Sequence, residues 1–120
     1  FPNTEFAKDS RQKIVLVKTN KAAKHMYVGR FYLKEKKYTA ALNRFKIIID
    51  EYSMTKFVPE ALHRMVEAYY EMGMVDESIK IASTLGYNYP DSKWYKYSYK
   101  LINKTEENKS LVNKVKNIFN

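Results

Sequence analysis

Between sparse glycines and prolines, the apolar residues of this chain recur every three or four positions, which is the spacing of a helical face and not the alternation of a strand. Residues 5–35 hold no proline and one glycine, and Ala22, Met26, Gly29 and Leu33 fall on one stripe with Val28 and Tyr32 beside it. This predicts one helix of about 30 residues, about 45 Å long, with a break near Thr19-Asn20 as the alternative. A second helix is predicted over 38–52, with Ala41, Leu42, Phe45, Ile48 and Ile49 facing inward. Pro59 suits the first turn of a third helix, and Gly73 is placed to end it in a left-handed cap. A fourth helix is expected over 75–85, stopped by Gly86. Tyr89-Pro90-Asp91-Ser92 then offers capping groups for a fifth carrying Trp94, Tyr95, Tyr97 and Tyr99. Residues 103–110 are polar, and Leu111, Val115, Ile118 and Phe119 share the face of a last short helix. The expected organisation is a helical domain over 1–102 and a polar tail over 103–120.

An internal repeat sharpens this all-α reading. At an offset of 37 residues, Gly29 aligns with Val66, Tyr32 with Tyr69, Ala41 with Ser78 and Phe45 with Ala82. Small and large residues at such positions are the mark of tetratricopeptide repeats, in which two antiparallel helices pack closely and stack on the next pair. The units fall near 22–55 and 59–92, preceded by the long first helix, and should stack as a short right-handed solenoid. Gly29, Ala41, Phe45, Tyr69, Gly73, Ser78, Pro90 and Trp94 are its packing positions. Such a repeat has a period of about 34 residues, so the excess belongs around Lys56-Phe57-Val58. Phe1-Pro2-Asn3-Thr4, Tyr52-Ser53-Met54-Thr55 and Tyr89-Pro90-Asp91-Ser92 echo one another as ends of second helices, so Phe1 reads as the tail of a preceding repeat. Solenoid units bury their faces against neighbours. The long first helix is expected to cover part of its own face, and the helix of Trp94 to cover the other end.

Composition agrees with one domain: 120 residues, 45% hydrophobic and 29% charged. No apolar run approaches the roughly 20 residues that cross a bilayer, and no signal peptide opens the chain. The first residue is not Met, which suggests a piece of a longer protein. Without cysteine there are no disulfides, thiolate metal sites or thiol nucleophiles. The net charge of +9 invites nucleic acid. Against that, the basic residues are eighteen Lys and four Arg, whereas specific phosphate recognition favours the planar Arg fork; with nine Asn and eleven Tyr, the excess lysine reads as genome composition. The charge is also uneven: residues 1–50 carry twelve basic and four acidic side chains, residues 51–120 ten and nine. Lys8, Arg11, Lys18, Lys21 and Lys24 of the first helix read as a solvated face, or as a surface that steers an acidic protein.

Catalysis finds little support. His25 and His63 are far apart in sequence and read as surface or groove histidines. Glu67 and Glu71 form an i, i+4 pair on a solvated face and not a desolvated acid pair. The three glycines are too scattered for a phosphate loop. The Trp94–Tyr99 aromatics fit packing on the preceding hairpin better than base stacking. A peptide-carboxylate clamp needs Lys, Asn and Arg at set positions of the first helix of each unit. Those positions hold Ala23, Met26, Tyr27 and Arg30, then Glu60, His63, Arg64 and Glu67, so a chaperone adaptor is disfavoured. The expectation is a binding protein with no catalytic, metal or cofactor residues.

Val28-Gly29-Arg30-Phe31-Tyr32-Leu33, Tyr38-Thr39-Ala40-Ala41-Leu42-Asn43-Arg44-Phe45 and Leu85-Gly86-Tyr87-Asn88-Tyr89-Pro90-Asp91-Ser92-Lys93-Trp94-Tyr95 resemble the BamD family, lipoprotein subunits of the machinery that assembles outer-membrane β-barrels. The likeness covers residues 1 to about 100, as the fourth and fifth repeats; Ser53 departs from the family's proline, and 103–120 has no counterpart. It implies an acylated N-terminal cysteine upstream and residence on the periplasmic face of the outer membrane of a Gram-negative bacterium. It also implies docking on the last POTRA domain of BamA, contact with other lipoproteins of the complex, and capture of unfolded barrel proteins by an N-terminal half absent here. By the same resemblance Arg44, which follows Asn43, is the contact arginine, supported by Lys37, Tyr38, Phe31 and Tyr32. Another envelope repeat adaptor, or a basic nucleic-acid-binding repeat, is the alternative.

Overall fold

The computed structural model describes the backbone of residues 4–119, and the side chains of that span except at 105–108, 111, 112 and 119. Five helices follow one another without a strand among these residues: α1 (Glu5–Lys34), α2 (Tyr38–Glu51), α3 (Val58–Glu71), α4 (Val75–Asn88) and α5 (Lys93–Phe119). Thr4 starts α1 by accepting the Ala7 N–H on its hydroxyl at 3.2 Å, and the helix runs unbroken through Thr19-Asn20. Thr19 Oγ1 satisfies itself there by donating to the Val15 carbonyl. Ser92 does for α5 what Thr4 does for α1, accepting the Trp94 N–H.

The 37-residue repeat is visible atom by atom. α1 ends with Lys36 in the left-handed region, φ 61°, and α3 with Gly73 at φ 78°. In the first turn Lys37 N–H donates to the Tyr32 carbonyl at 2.9 Å and Lys36 N–H to Leu33. In the second, Met74 donates to Tyr69 at 2.8 Å and Gly73 to Tyr70. Both are Schellman closures that satisfy the last carbonyls of a helix. The ends of α2 and α4 match as well, with Tyr52 bonding back to Ile48 and Tyr89 to Leu85, then Thr55 to Tyr52 and Ser92 to Tyr89.

Helices α1 and α2 form one antiparallel hairpin, α3 and α4 the next. α2 packs on α3, α5 packs on both α3 and α4, α1 reaches α3, and α2 and α4 do not meet among the described residues. The first helices of the units therefore lie side by side, as a tetratricopeptide solenoid requires. The core runs through the hairpins: Met26, Ala41, Phe45, Ile48, Ala61, Val66, Ala68 and Leu85 are sealed from solvent. Phe45 lies across Gly29, where an added Cβ would stand 2.5 Å from Phe45 Cε1. Ser78 takes the place of Ala41 in the second hairpin and donates its buried hydroxyl to the Val66 carbonyl at 3.1 Å.

Three expectations need correction. Gly86 does not stop α4, which continues to Asn88; its missing side chain makes room for the Tyr95 ring, whose Cε1 would be 2.5 Å from an added Cβ. Residues 103–119 are not a pause followed by a short helix but the continuation of α5. Of the apolar residues expected to share its last face, Val115 and Ile118 are exposed, and the side chains of Leu111 and Phe119 lie outside those described. The long first helix does not cover itself either, since Ile14, Val15, Leu16 and Val17 are all more than half exposed. The other end is covered as expected, with Trp94 and Tyr95 packed against the core. The Phe1-Pro2-Asn3 copy of the turn echo lies outside the described residues.

Two substitutions test this packing by thermal or denaturant unfolding. Gly29→Ala gains helix propensity but drives a methyl into a sealed ring, so a net loss of about 1–2 kcal/mol is expected. Lys36→Gly relieves a left-handed lysine and is expected to add about 0.5–1 kcal/mol.

Candidate functional site

The four arginines of the chain divide by what neutralises them. Arg30 on α1 reaches Glu60 of α3 at 3.6 Å. Arg64 on α3 binds Glu60 at 3.1 Å and Glu67 at 2.7 Å and lies over the Trp94 ring. Arg11 is exposed on the first half of α1. Arg44 on α2, half-buried, pairs with no carboxylate among the described residues; its Nη1 is 3.2 Å from Nδ1 of His25 on α1. A guanidinium can only donate, so His25 Nδ1 must accept and the neutral ring carries its proton on Nε2. The His25 ring rests on Tyr52 with centroids 5.8 Å apart. One of five N–H groups is thus used to aim the arginine, and the fork keeps donors for an external carboxylate.

This contact also holds the histidine neutral. Partial burial pushes the His25 pKa below its ordinary 6.5, and the Arg44 charge pushes the same way, against an opposing pull from Glu51. Protonated, the ring would face a guanidinium with a hydrogen where it now has a lone pair.

The other residues expected around Arg44 do not all gather there. Lys37 is the residue that precedes α2, about two turns from Arg44, and is exposed. Asn43 is exposed but turned about 100° from Arg44 on the helix. Phe31 is 53% exposed at the end of α1, its ring 6.0 Å from that of Tyr32. Tyr32 and Tyr38 pack against the core. Tyr38 lines a different hollow of about 440 Å³ between the units, shared with Arg30, Leu33, Arg64, Glu67 and Glu71. Of the packing positions, Gly29, Ala41, Phe45 and Ser78 are buried, and Tyr69 and Trp94 lean on the core. Gly73 shapes a turn, and Pro90 stands exposed in one.

The residue least visible in the sequence is His63. It is buried, 6% exposed, with Nε2 3.0 Å from Glu67 and Nδ1 2.7 Å from the Ser98 hydroxyl of α5. Its ring meets Trp94 and Tyr97. Glu67 is accordingly no solvated carboxylate. Burial pushes its pKa up, but the His63 hydrogen bond and the Arg64 charge outweigh that and hold it below its ordinary value. The signal for His63 was the 37-residue offset itself, which sets it on Met26, a sealed position. Among the described residues no three His, Asp or Glu side chains form a metal cluster, and no helix is long and apolar enough to cross a membrane.

The His25 proton gives a pH dependence of definite sign. Its folded-state pKa is lowered, so below about pH 6.5 the unfolded chain binds the proton more readily. The contribution is full above 6.5 and declines as pH falls toward the lowered value. Denaturant unfolding between pH 7.5 and 5.5 should show a steeper loss of stability for the native chain than for His25→Gln; parallel slopes would refute the pairing.

Sequence comparison finds relatives for this arrangement. A model of the family described as an outer membrane lipoprotein, YfiO, matches residues 1–85. The outer membrane protein assembly factor BamD of Rickettsia prowazekii is 54% identical over 102 residues, 85% of this chain and 41% of that protein. The BamD of Caulobacter vibrioides is 45% identical over 103 residues, 86% of this chain and 34% of its own length. The BamD of Neisseria meningitidis serogroup A is 30% identical over 99 residues, 82% of this chain and 37% of its own. The chain thus spans about two-fifths or less of the curated relatives it matches.

Proposed function

The chain belongs to the YfiO family of outer membrane lipoproteins, and on that premise we propose that it serves outer-membrane protein assembly as a non-enzymatic docking module. Its partner in this reading is the last periplasmic POTRA domain of BamA. Residence is on the periplasmic face of the outer membrane, through a lipid anchor on a part of the protein upstream of this chain. Other lipoproteins of the complex, and unfolded barrel proteins bound by N-terminal repeats, complete the set of partners.

The observation that carries the reading is the state of Arg44. Arg64 is held by two carboxylates of the same chain and Arg30 stands 3.6 Å from one of them, whereas Arg44 meets no carboxylate among the described residues and is aimed by a neutral histidine. A guanidinium already held by His25 loses little side-chain entropy on binding, and its remaining N–H groups suit a bidentate carboxylate. Lys37 at the entry to α2 and the exposed lysines of α1, such as Lys21 and Lys24, add a positive field that speeds encounter with an acidic surface. The exposed Phe31 ring supplies apolar contact at the rim.

Arg44→Glu should weaken binding to the isolated POTRA domain by about 2 kcal/mol or more, roughly thirtyfold, measured by titration calorimetry at fixed salt. His25→Gln, which still offers an acceptor, should cost much less. Unchanged affinity of Arg44→Glu with intact helicity would sink the assignment.

A further inference from the structure

The outward face of α5 takes no part in the Arg44 site and is chemically unlike the rest of the surface. Lys93, Lys96, Lys100 and Lys104 are exposed, and their spacing of three, four and four residues puts the ammoniums in one row over three turns. None of them forms an ion pair with a carboxylate among the described residues; Lys93 instead lies over the Trp94 ring at 5.0 Å. Beside the row is a shallow hollow of about 430 Å³ lined by Pro90, Tyr95, Lys96, Tyr97, Tyr99 and Lys100. Its walls are tyrosine rings and lysine stems, with Tyr97 and Tyr99 about half exposed. Exposed tyrosines with an apolar body and a polar tip are enriched at recognition surfaces, and the unpaired lysines beside them set the sign of the charge that this one presents.

We propose that this face binds an acidic peptide segment of a partner protein, with one aromatic or aliphatic side chain seated in the Pro90–Tyr95–Tyr97–Tyr99 hollow and flanking carboxylates on Lys96 and Lys100. The charge complementarity fixes the sign of the occupant. A small molecule is disfavoured because the hollow is open and offers no buried polar group to orient one. A nucleic-acid strand is disfavoured by ring geometry: Tyr95 meets Tyr99 at 61° and Tyr97 meets Trp94 at 87°, so the rings stand steeply to one another and not as parallel platforms for successive bases. A second copy docking the same face would bring two lysine rows together, which like-charge repulsion opposes. An anionic bilayer would satisfy the lysines, but it seeks a continuous apolar helix face, and the lysine-bearing turns of α5 turn Trp94 onto the core and Ser98 onto His63 of α3.

The test is fluorescence anisotropy of the full 120-residue chain with a labelled peptide holding one phenylalanine between paired aspartates. Parallel arms use the same peptide with asparagines, phosphatidylglycerol vesicles and single-stranded oligothymidine. Binding of the acidic peptide that falls at least tenfold in the asparagine peptide, in Lys96→Glu/Lys100→Glu and in Tyr99→Ser, with helicity unchanged, is the expected result. Arg44→Glu should leave it unchanged, which separates this face from the docking reading above. Loss of binding in Arg44→Glu, insensitivity to the α5 variants, or stronger binding to vesicles or oligonucleotide than to the peptide would each overturn the proposal. So would an α5-dependent dimer in sedimentation.

Discussion

Helix α3 is the constraint on which the rest of the structure depends. Among the described residues it is the one helix that touches all four others, and it meets α1 and α5 through polar side chains. Arg30 of α1 reaches Glu60; Glu60 and Glu67 hold Arg64; Glu67 holds His63; His63 holds Ser98 of α5. This seam crosses the first helices of three successive hairpin positions through groups that, Arg30 apart, are largely withdrawn from water. Buried polar groups are tolerable only when every member is paired, and no buried side-chain nitrogen or oxygen among the described residues lacks a partner. Greasy contacts alone would let α5 slide along α3. The histidine fixes where it sits.

The same seam sorts the arginines. Carboxylates of α3 hold Arg64 and partly offset the half-exposed Arg30, so the groove between the units carries both signs of charge, consistent with the poor match to a peptide-carboxylate clamp. Arg44 stands on the other side of its hairpin, beyond the reach of those carboxylates, with a histidine as its sole described hydrogen-bond partner. The positive charge of the first half of the chain therefore has a structural address. It is the outer face of α1 and α2 together with Arg30, Lys34 and Lys36 at the hollow between the units, which Glu67 and Glu71 also line.

How much of this was legible follows from what each residue type can signal. The helices and the repeat could be read because their causes are local: apolar spacing, Pro59 in a first turn, Gly73 in a left-handed cap. Lys36 sits in the position equivalent to Gly73 and adopts the same backbone region, yet a lysine carries no sign of it; only the repeat offset does. Gly86 misled for the opposite reason. A glycine marks either a backbone that must turn or a surface that must be approached, and composition does not say which; here the Tyr95 ring decides. His63 and Glu67 looked like solvent-facing polar residues because the pairing of Glu67 with His63 and Arg64 within α3 suits an exposed face equally well, and what buries His63 is Trp94 and Ser98 of α5, distant in sequence. The resemblance pointed to Arg44, but that His25 holds it, and that Tyr38 faces the other hollow, required the hairpin to be assembled.

The account stands on Arg44 as the arginine left for a partner carboxylate. A charge-swap series tests it most directly: Arg44→Glu measured against versions of the POTRA domain in which each exposed acidic residue is replaced by arginine in turn. One swapped pair should recover most of the affinity that Arg44→Glu loses, while the same domain variant binds the native chain poorly. Recovery by no swap, or equal gains from every swap, would contradict a specific Arg44 contact and leave only a diffuse electrostatic attraction.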